Sequence, residues 1–370
     1  MRLISLLGEN IEMVGEYKIY KMKRRKFLKS SLLGITGLPL VSANGFNFLK
    51  ENSEEHFFKL SLAQFSLFSP IMNKQMDPYD FAKIASEEGF KGLEYMSAIY
   101  KGGLMSFGNQ KKSFGLKDAK EFAKNSKAKS DEFGLENLLI MVDGEGDLSN
   151  VGIKKGMESV ENHYKWVDAA SYMGCHSVRV NLYGSSDEKI WLENSIRNLN
   201  KLCDYAKDFN INIIIENHNS LSSNADLLLK VIENIDYDNF GTLPDFGNWC
   251  LEFDQEIIST VYSRYGNKDK EKDDSDFPTI ADACKSSFDK YEGMRKILPY
   301  AKGVSAKSEL FDDKGENITF DYKRMMQIVK DSGYRGYIGV EFGGFGSNLS
   351  AIEGIRATKN LIFKSAKLLQ

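Results

Sequence analysis

The chain predicts an α/β fold, a single (β/α)8 TIM barrel, on three observations. From about residue 58 onward, short apolar runs of strand length alternate with longer amphipathic segments. The units number eight, the count that closes a parallel sheet on itself. Ile211-Asn212-Ile213-Ile214-Ile215 is β-branched, apolar enough to be buried on both faces, and stops at Glu216-Asn217-His218. Buried parallel strands of α/β enzymes present chemistry in this way at their C-terminal ends. A doubly wound open sheet is the rival, but the first strand lacks the GxGxxG turn of its dinucleotide-binding version.

With 370 residues, 42% hydrophobic and 27% charged, the chain can bury a sizeable core. The 49 basic and 52 acidic residues leave a net charge of −3, so no global field favours nucleic acid or an anionic membrane. None of the four cysteines forms a CxxC pair, which excludes a ribbon or finger zinc site. Cys175 and Cys203 read as core residues; Cys250 and Cys284 flank a polar excursion, and their oxidation state is left open.

Residues 1–43 read as a targeting segment. Lys23-Arg24-Arg25-Lys26-Phe27-Leu28-Lys29 is a basic region with a twin arginine, followed by a short apolar stretch that ends small-x-small at Val41-Ser42-Ala43. The stretch is too short for a stable membrane anchor. Export by a twin-arginine-type route to the periplasm or beyond is expected. Met22 immediately before the basic run leaves the true start codon open. Residues 44–57 are a polar linker, and 58–370 the barrel.

Phe58–Phe65 is the first strand, and Asp77–Glu88 a helix with Pro78 in its first turn. Gly92–Tyr95 is strand two, 116–133 a helix, Glu136–Asp143 strand three and 156–173 a helix. His176–Asn181 is strand four, 188–209 a helix, and the isoleucine run strand five. Asn224 caps a helix to 235. Phe240–Asp245 is strand six, followed by the excursion 251–288 and a helix at 290–298. Lys302–Lys307 is strand seven, 320–332 a helix, Tyr337–Glu341 strand eight and 351–368 the closing helix.

Functional groups of such a barrel gather at the C-terminal ends of its strands. Those positions hold Gln64, Glu94, Asp143, Asn181, Glu216, His218, Asp245, Asn248, Ser305, Lys307 and Glu341. Glu216, Asp245 and Glu341 would converge at one mouth, and carboxylates that close need a cation, a lysine or a shared proton.

Ile214-Ile215-Glu216-Asn217-His218, Gly241–Asn248, Ala301–Lys307 and Gly333–Glu341 resemble the xylose-isomerase-like TIM-barrel superfamily, the sugar phosphate isomerase/epimerase group. The likeness runs from about residue 58 to the end and is strongest in the second half. It implies a divalent ion held by Glu216, Asp245 and Glu341, with the two glutamates as acid and base on either side of the substrate carbon. Two positions depart from the pattern: Ser305 and Asn248 stand where the family carries histidines, whereas Lys307 is kept. The remaining oxygen-rich donor set suits Mn2+ or Mg2+ better than Zn2+.

Substrate contacts are expected from His218, Asn248, Lys307, Glu94 and Asn181. Trp249 is either an aromatic wall or core, and His176, His56 and His163 are structural or without partners. The expected function is a sugar isomerase or epimerase that moves a proton next to a carbonyl of a free, non-phosphorylated sugar, polyol or keto-glycoside. A lyase or hydratase using the same site, and a non-catalytic carbohydrate-binding barrel, are the alternatives. The expected partner is a small-molecule carbohydrate, and a homo-oligomer is left open. The histidine-poor composition argues against a multi-zinc DNA-repair site.

Overall fold

A computed structural model of the chain describes residues 56–101, 114–264, 278–344, 347 and 349–369, all within the unit His56–Gln370. The targeting segment 1–43 and nearly all of the linker 44–57 lie outside the described residues.

Among the described residues, ten strands follow in chain order. They are β1 (Lys59–Ala63), β2 (Gly92–Met96), β3 (Glu136–Met141), β4 (Ser177–Val180), β5 (Asn212–Glu216), β6 (Phe240–Leu243), β7 (Cys250–Phe253), β8 (Cys284–Ser287), β9 (Val304–Ser308) and β10 (Tyr337–Phe342). Eight form one parallel sheet in the order β6-β5-β4-β3-β2-β1-β10-β9. The isoleucine run is β5, and Ile213, Ile214 and Ile215 are buried on both faces as expected.

The seam between β6 and β9 is closed by single parallel bridges, Thr242 to Ala301 and Asp245 to Ser305. Pro244 explains why this seam is sparse and why β6 stops at Leu243 rather than at Asp245: it has no N–H for a ladder. Its carbonyl still accepts from Ser305 N at 2.9 Å, and Phe246 N donates to Ser305 O at 3.1 Å. These two bonds hold Asp245 beside Ser305.

The helices cover the outside of the sheet, and Trp166 and Trp191 are fully buried. Their starts follow local chemistry. Asn224 caps helix Ala225–Ile232 by accepting from Asp226 N and Leu227 N. Ser350 and Glu353 form a capping box on helix Ala351–Lys367. Asp77-Pro78 starts a 3-10 turn before helix Phe81–Glu87, so the first helix is shorter than its sequence pattern. Among the described residues, no helix is long and apolar enough to cross a membrane.

The excursion after β6 forms an antiparallel pair of β7 and β8, with helix Gln255–Arg264 between them in sequence. Cys250 and Cys284 form a disulfide across this pair, with Cα atoms 5.8 Å apart. Cys175 and Cys203 are buried thiols, as read from the sequence.

Candidate active site

In an extended strand, residues two apart share a face. On that pattern β5 presents Glu216 inward, β9 presents Ser305 and Lys307, β10 presents Glu341 and β4 presents Arg179. Asp143 and Asp245 continue the inward faces of β3 and β6. Carboxylate oxygens of Glu216, Asp245 and Glu341 all lie within 4.8 Å of one another, and all three residues are buried.

Asp245 is fixed on every side. Its Oδ1 accepts from the backbone N–H groups of Gly247 and Asn248, both at 2.8 Å, and its Oδ2 from Ser305 Oγ at 2.7 Å. Its own N–H donates to Asn217 Oδ1 at 2.8 Å. Glu341 Oε1 pairs with Lys307 Nζ at 2.9 Å. Glu216 Oε1 accepts from Asn248 Nδ2 at 3.1 Å. Glu216 Oε2 lies 2.9 Å from Arg179 Nε, an ion pair whose geometry is off a hydrogen-bond line, so both atoms keep unused bonding capacity.

Burial sets the electrostatics. It pushes the Glu216 carboxyl up to about 8, with Arg179 opposing and Glu341 and Asp245 adding to the rise. It pushes Asp245 up to about 6, with Lys307 opposing and Glu341 reinforcing. For Lys307 burial acts downward, but Glu341 and Asp245 outweigh it and keep the ammonium charged. Asp143 shows the reverse balance: burial pushes it up, yet the Arg179 guanidinium and the Asn181 hydrogen bond hold it low. Arg179 Nη1 donates to Asp143 Oδ1 at 2.9 Å, which Asn181 Nδ2 also reaches at 2.7 Å. Burial, with Arg179 and Lys307 nearby, keeps His218 neutral. Its Nδ1 lies 2.9 Å from Asn181 Oδ1, 2.7 Å from the Tyr183 hydroxyl and 4.0 Å from Glu216 Oε2.

Eight residues proposed from the sequence were Glu216, Asp245, Glu341, His218, Asn248, Lys307, Asn181 and Glu94, and the first seven are brought together. Glu94 is not. It lies on β2 beneath the mouth, accepting from Ser61 Oγ at 2.6 Å and filling the space where a side chain at Gly339 would stand. Trp249 lines the cavity but packs its ring on Gly293, so it is both wall and core. His163 is buried and bonded to Ser159 O, and His176 precedes β4 at its N-terminal end, bonded to Ser177. Neither joins the site.

Two residues were missed. Arg179 is a charge at an inward position of an apolar strand, and the alternation of β4 carries that signal. Glu309 lines the cavity two residues beyond Lys307, and burial pushes its carboxyl up to about 7 against the pull of Lys307. The cavity above the charged cluster measures about 1110 Å3 and reaches out to the β7–β8 pair.

A family model described as xylose isomerase-like TIM barrel matches residues 82–361. No curated protein sequence matches the chain. Among solved structures, a D-tagatose 3-epimerase-like protein is 17% identical with a TM-score of 0.55, over 85% of this chain and 100% of that one. A sugar phosphate isomerase/epimerase from Parabacteroides distasonis is 16% identical with a TM-score of 0.54, over 85% and 96%. The IOLI protein, solved with a bound zinc atom, is 12% identical with a TM-score of 0.52, over 84% and 99%. At such identities these structures share the fold with this chain. The family model spans well over half of the sequence and sits on the strands that carry the buried acids, and on that match the chain belongs to the xylose isomerase-like TIM barrel family.

Proposed function

We propose that the protein is a sugar isomerase or epimerase that moves a proton on the carbon next to a carbonyl of a non-phosphorylated sugar or keto-glycoside. The observation that supports this reading is the pairing of Glu216 and Glu341, two buried carboxylates at one cavity floor in unlike surroundings. Glu216, ion-paired with Arg179, serves as donor. Glu341, ion-paired with Lys307, serves as acceptor. A base and an acid of this kind are what proton exchange beside a carbonyl requires. Lys307 and Arg179 place positive charge where an enediolate oxygen would develop. The family match and the epimerase-type neighbours favour this class over a lyase.

A divalent cation fits the same cluster. Three buried carboxylates lie within reach of one another, the Glu216 carboxyl is raised by its anionic neighbours as well as by burial, and Glu216 Oε2 has an unused lone pair. Glu216, Asp245 and Glu341 would hold the ion, and an all-oxygen set favours Mn2+ or Mg2+ over Zn2+. When bound, the ion polarises the substrate carbonyl and stabilises negative charge on its oxygen. Ser305 Oγ faces Asp245 and Glu341 with a hydroxyl where the family pattern has a histidine, which leaves the site without an imidazole from β9.

The twin-arginine-like segment supports export, and the Cys250–Cys284 disulfide suits an oxidising compartment. The test of the reading is a screen. Purified protein is stripped with chelator, reloaded with Mn2+ or Mg2+, and incubated with aldoses, ketoses and keto-glycosides while products are followed by NMR. An epimer or isomer formed only after reloading is expected; no turnover of any sugar in either state would overturn it.

A further inference from the structure

The cavity is larger than the charged cluster needs. At about 1110 Å3 it reaches the top of the range of roughly 300–1,000 Å3 that buries a drug-sized ligand, well beyond one sugar ring. Its lining changes character with height. The floor is Asp143, Arg179, Glu216, Lys307 and Glu341, whereas the upper wall is carried by segments added to the barrel: Phe65 and Phe68 after β1, Tyr262 in the excursion, and Ile318 and Phe320 after β9. Tyr183, Tyr262 and Ile318 are 45%, 44% and 59% exposed, and all three line this one opening. Large apolar side chains left open to water on one concave wall mark a surface kept for a ligand.

The same wall holds a polar group that the proton-transfer chemistry does not use. Glu309 lies one residue past the end of β9, outward of Lys307, and makes no hydrogen bond or ion pair among the described residues. Its carboxylate is an acceptor left without a donor. A hydroxyl group satisfies it, which an apolar aglycone cannot.

We infer that the outer half of the cavity is a second sugar-binding subsite, lined by aromatic side chains with Glu309 as its polar anchor, so that the substrate is a glycoside of two sugar rings rather than a free monosaccharide. Aromatic rings pack against the apolar faces of a pyranose, while the carboxylate takes its hydroxyls. This rests on the proposed sugar chemistry at the floor and specifies its substrate class.

Calorimetric titration tests it, using D-glucose, methyl glucoside, phenyl glucoside and a panel of glucosyl disaccharides of different linkage. At least one disaccharide is expected to bind about tenfold or more tighter than methyl glucoside. Glu309→Ala is expected to remove about tenfold of that preference, with the milder Glu309→Gln removing less. Monosaccharide binding as tight as that of every disaccharide overturns the second subsite and leaves the sugar reading standing. A gain for phenyl glucoside that equals the disaccharide gain and ignores Glu309 overturns it in favour of an apolar aglycone. No binding by any sugar overturns the second subsite, and together with no solvent exchange into glucose or any reducing disaccharide it overturns both.

Discussion

Ser305 Oγ donates to Asp245 Oδ2 at 2.7 Å across the β6–β9 seam, so a hydroxyl from β9 holds one of the three acids. Asp245 is wholly buried, and burial pushes its carboxyl up to about 6. Ser305→Ala takes a hydrogen bond from a buried carboxylate and is expected to cost about 1–3 kcal/mol at neutral pH, measured by denaturant unfolding. Unchanged stability would show that the hydroxyl contributes nothing.

Arg179 ties together two carboxylates from different strands, at 2.9 Å to Asp143 and 2.9 Å to Glu216. Arg179→Met leaves both acids buried without their cation and is expected to cost about 3–5 kcal/mol at pH 8. Losing that cation raises both carboxyl pKa values, so protonation at lower pH removes the uncompensated charge. The deficit relative to wild type should therefore shrink at pH 5. A deficit of equal size at both pH values would assign the loss to packing.

Glu94 gives a pH dependence of the opposite kind. Burial raises its carboxyl from 4.5 to about 7, the Ser61 bond opposing and Glu341 adding. The folded state then holds the proton more tightly than the unfolded chain, so stability falls as pH rises from about 4.5 through about 7. Glu94→Gln keeps the shape and removes the titration. Its stability relative to wild type should improve by about 3 kcal/mol between pH 4 and pH 8. A difference that stays flat over that range would show that Glu94 does not titrate there.

The Cys250–Cys284 disulfide joins residues 34 apart in sequence and anchors the β7–β8 pair beside the cavity. Cys284→Ser or reduction is expected to lower stability by about 2–4 kcal/mol and to raise KM more than it lowers kcat. The barrel strands do not depend on this bond, so far-ultraviolet circular dichroism should be retained. Unchanged KM after complete reduction, checked by thiol alkylation, would separate the hairpin from substrate binding.

Much of the barrel was legible in the sequence because its strands are strongly patterned. The isoleucine run, the cap at Asn224 and the alternation of β10 each carry a local signal that tertiary packing did not override. The acids at strand ends could be placed because a parallel barrel sends those ends to one face. What escaped was set by depth and by irregular chain. Glu94 is on an inward position of β2 but one layer too low, a distinction that strand pattern alone does not make. Arg179 was hidden among valines, and Glu309 lay one residue past the strand. The excursion has no periodicity that announces a hairpin, and the pairing of Cys250 with Cys284 depends on where the two strands meet.

Solvent deuterium exchange into the sugar tests the roles of Glu216 and Glu341 most directly. Wild-type protein in heavy water, with a sugar that it turns over, should place deuterium on the carbon next to the carbonyl. Glu216→Gln and Glu341→Gln should each slow that exchange by about a hundredfold or more while the protein stays folded. Exchange at the wild-type rate in both variants would contradict the assignment of proton transfer to this pair.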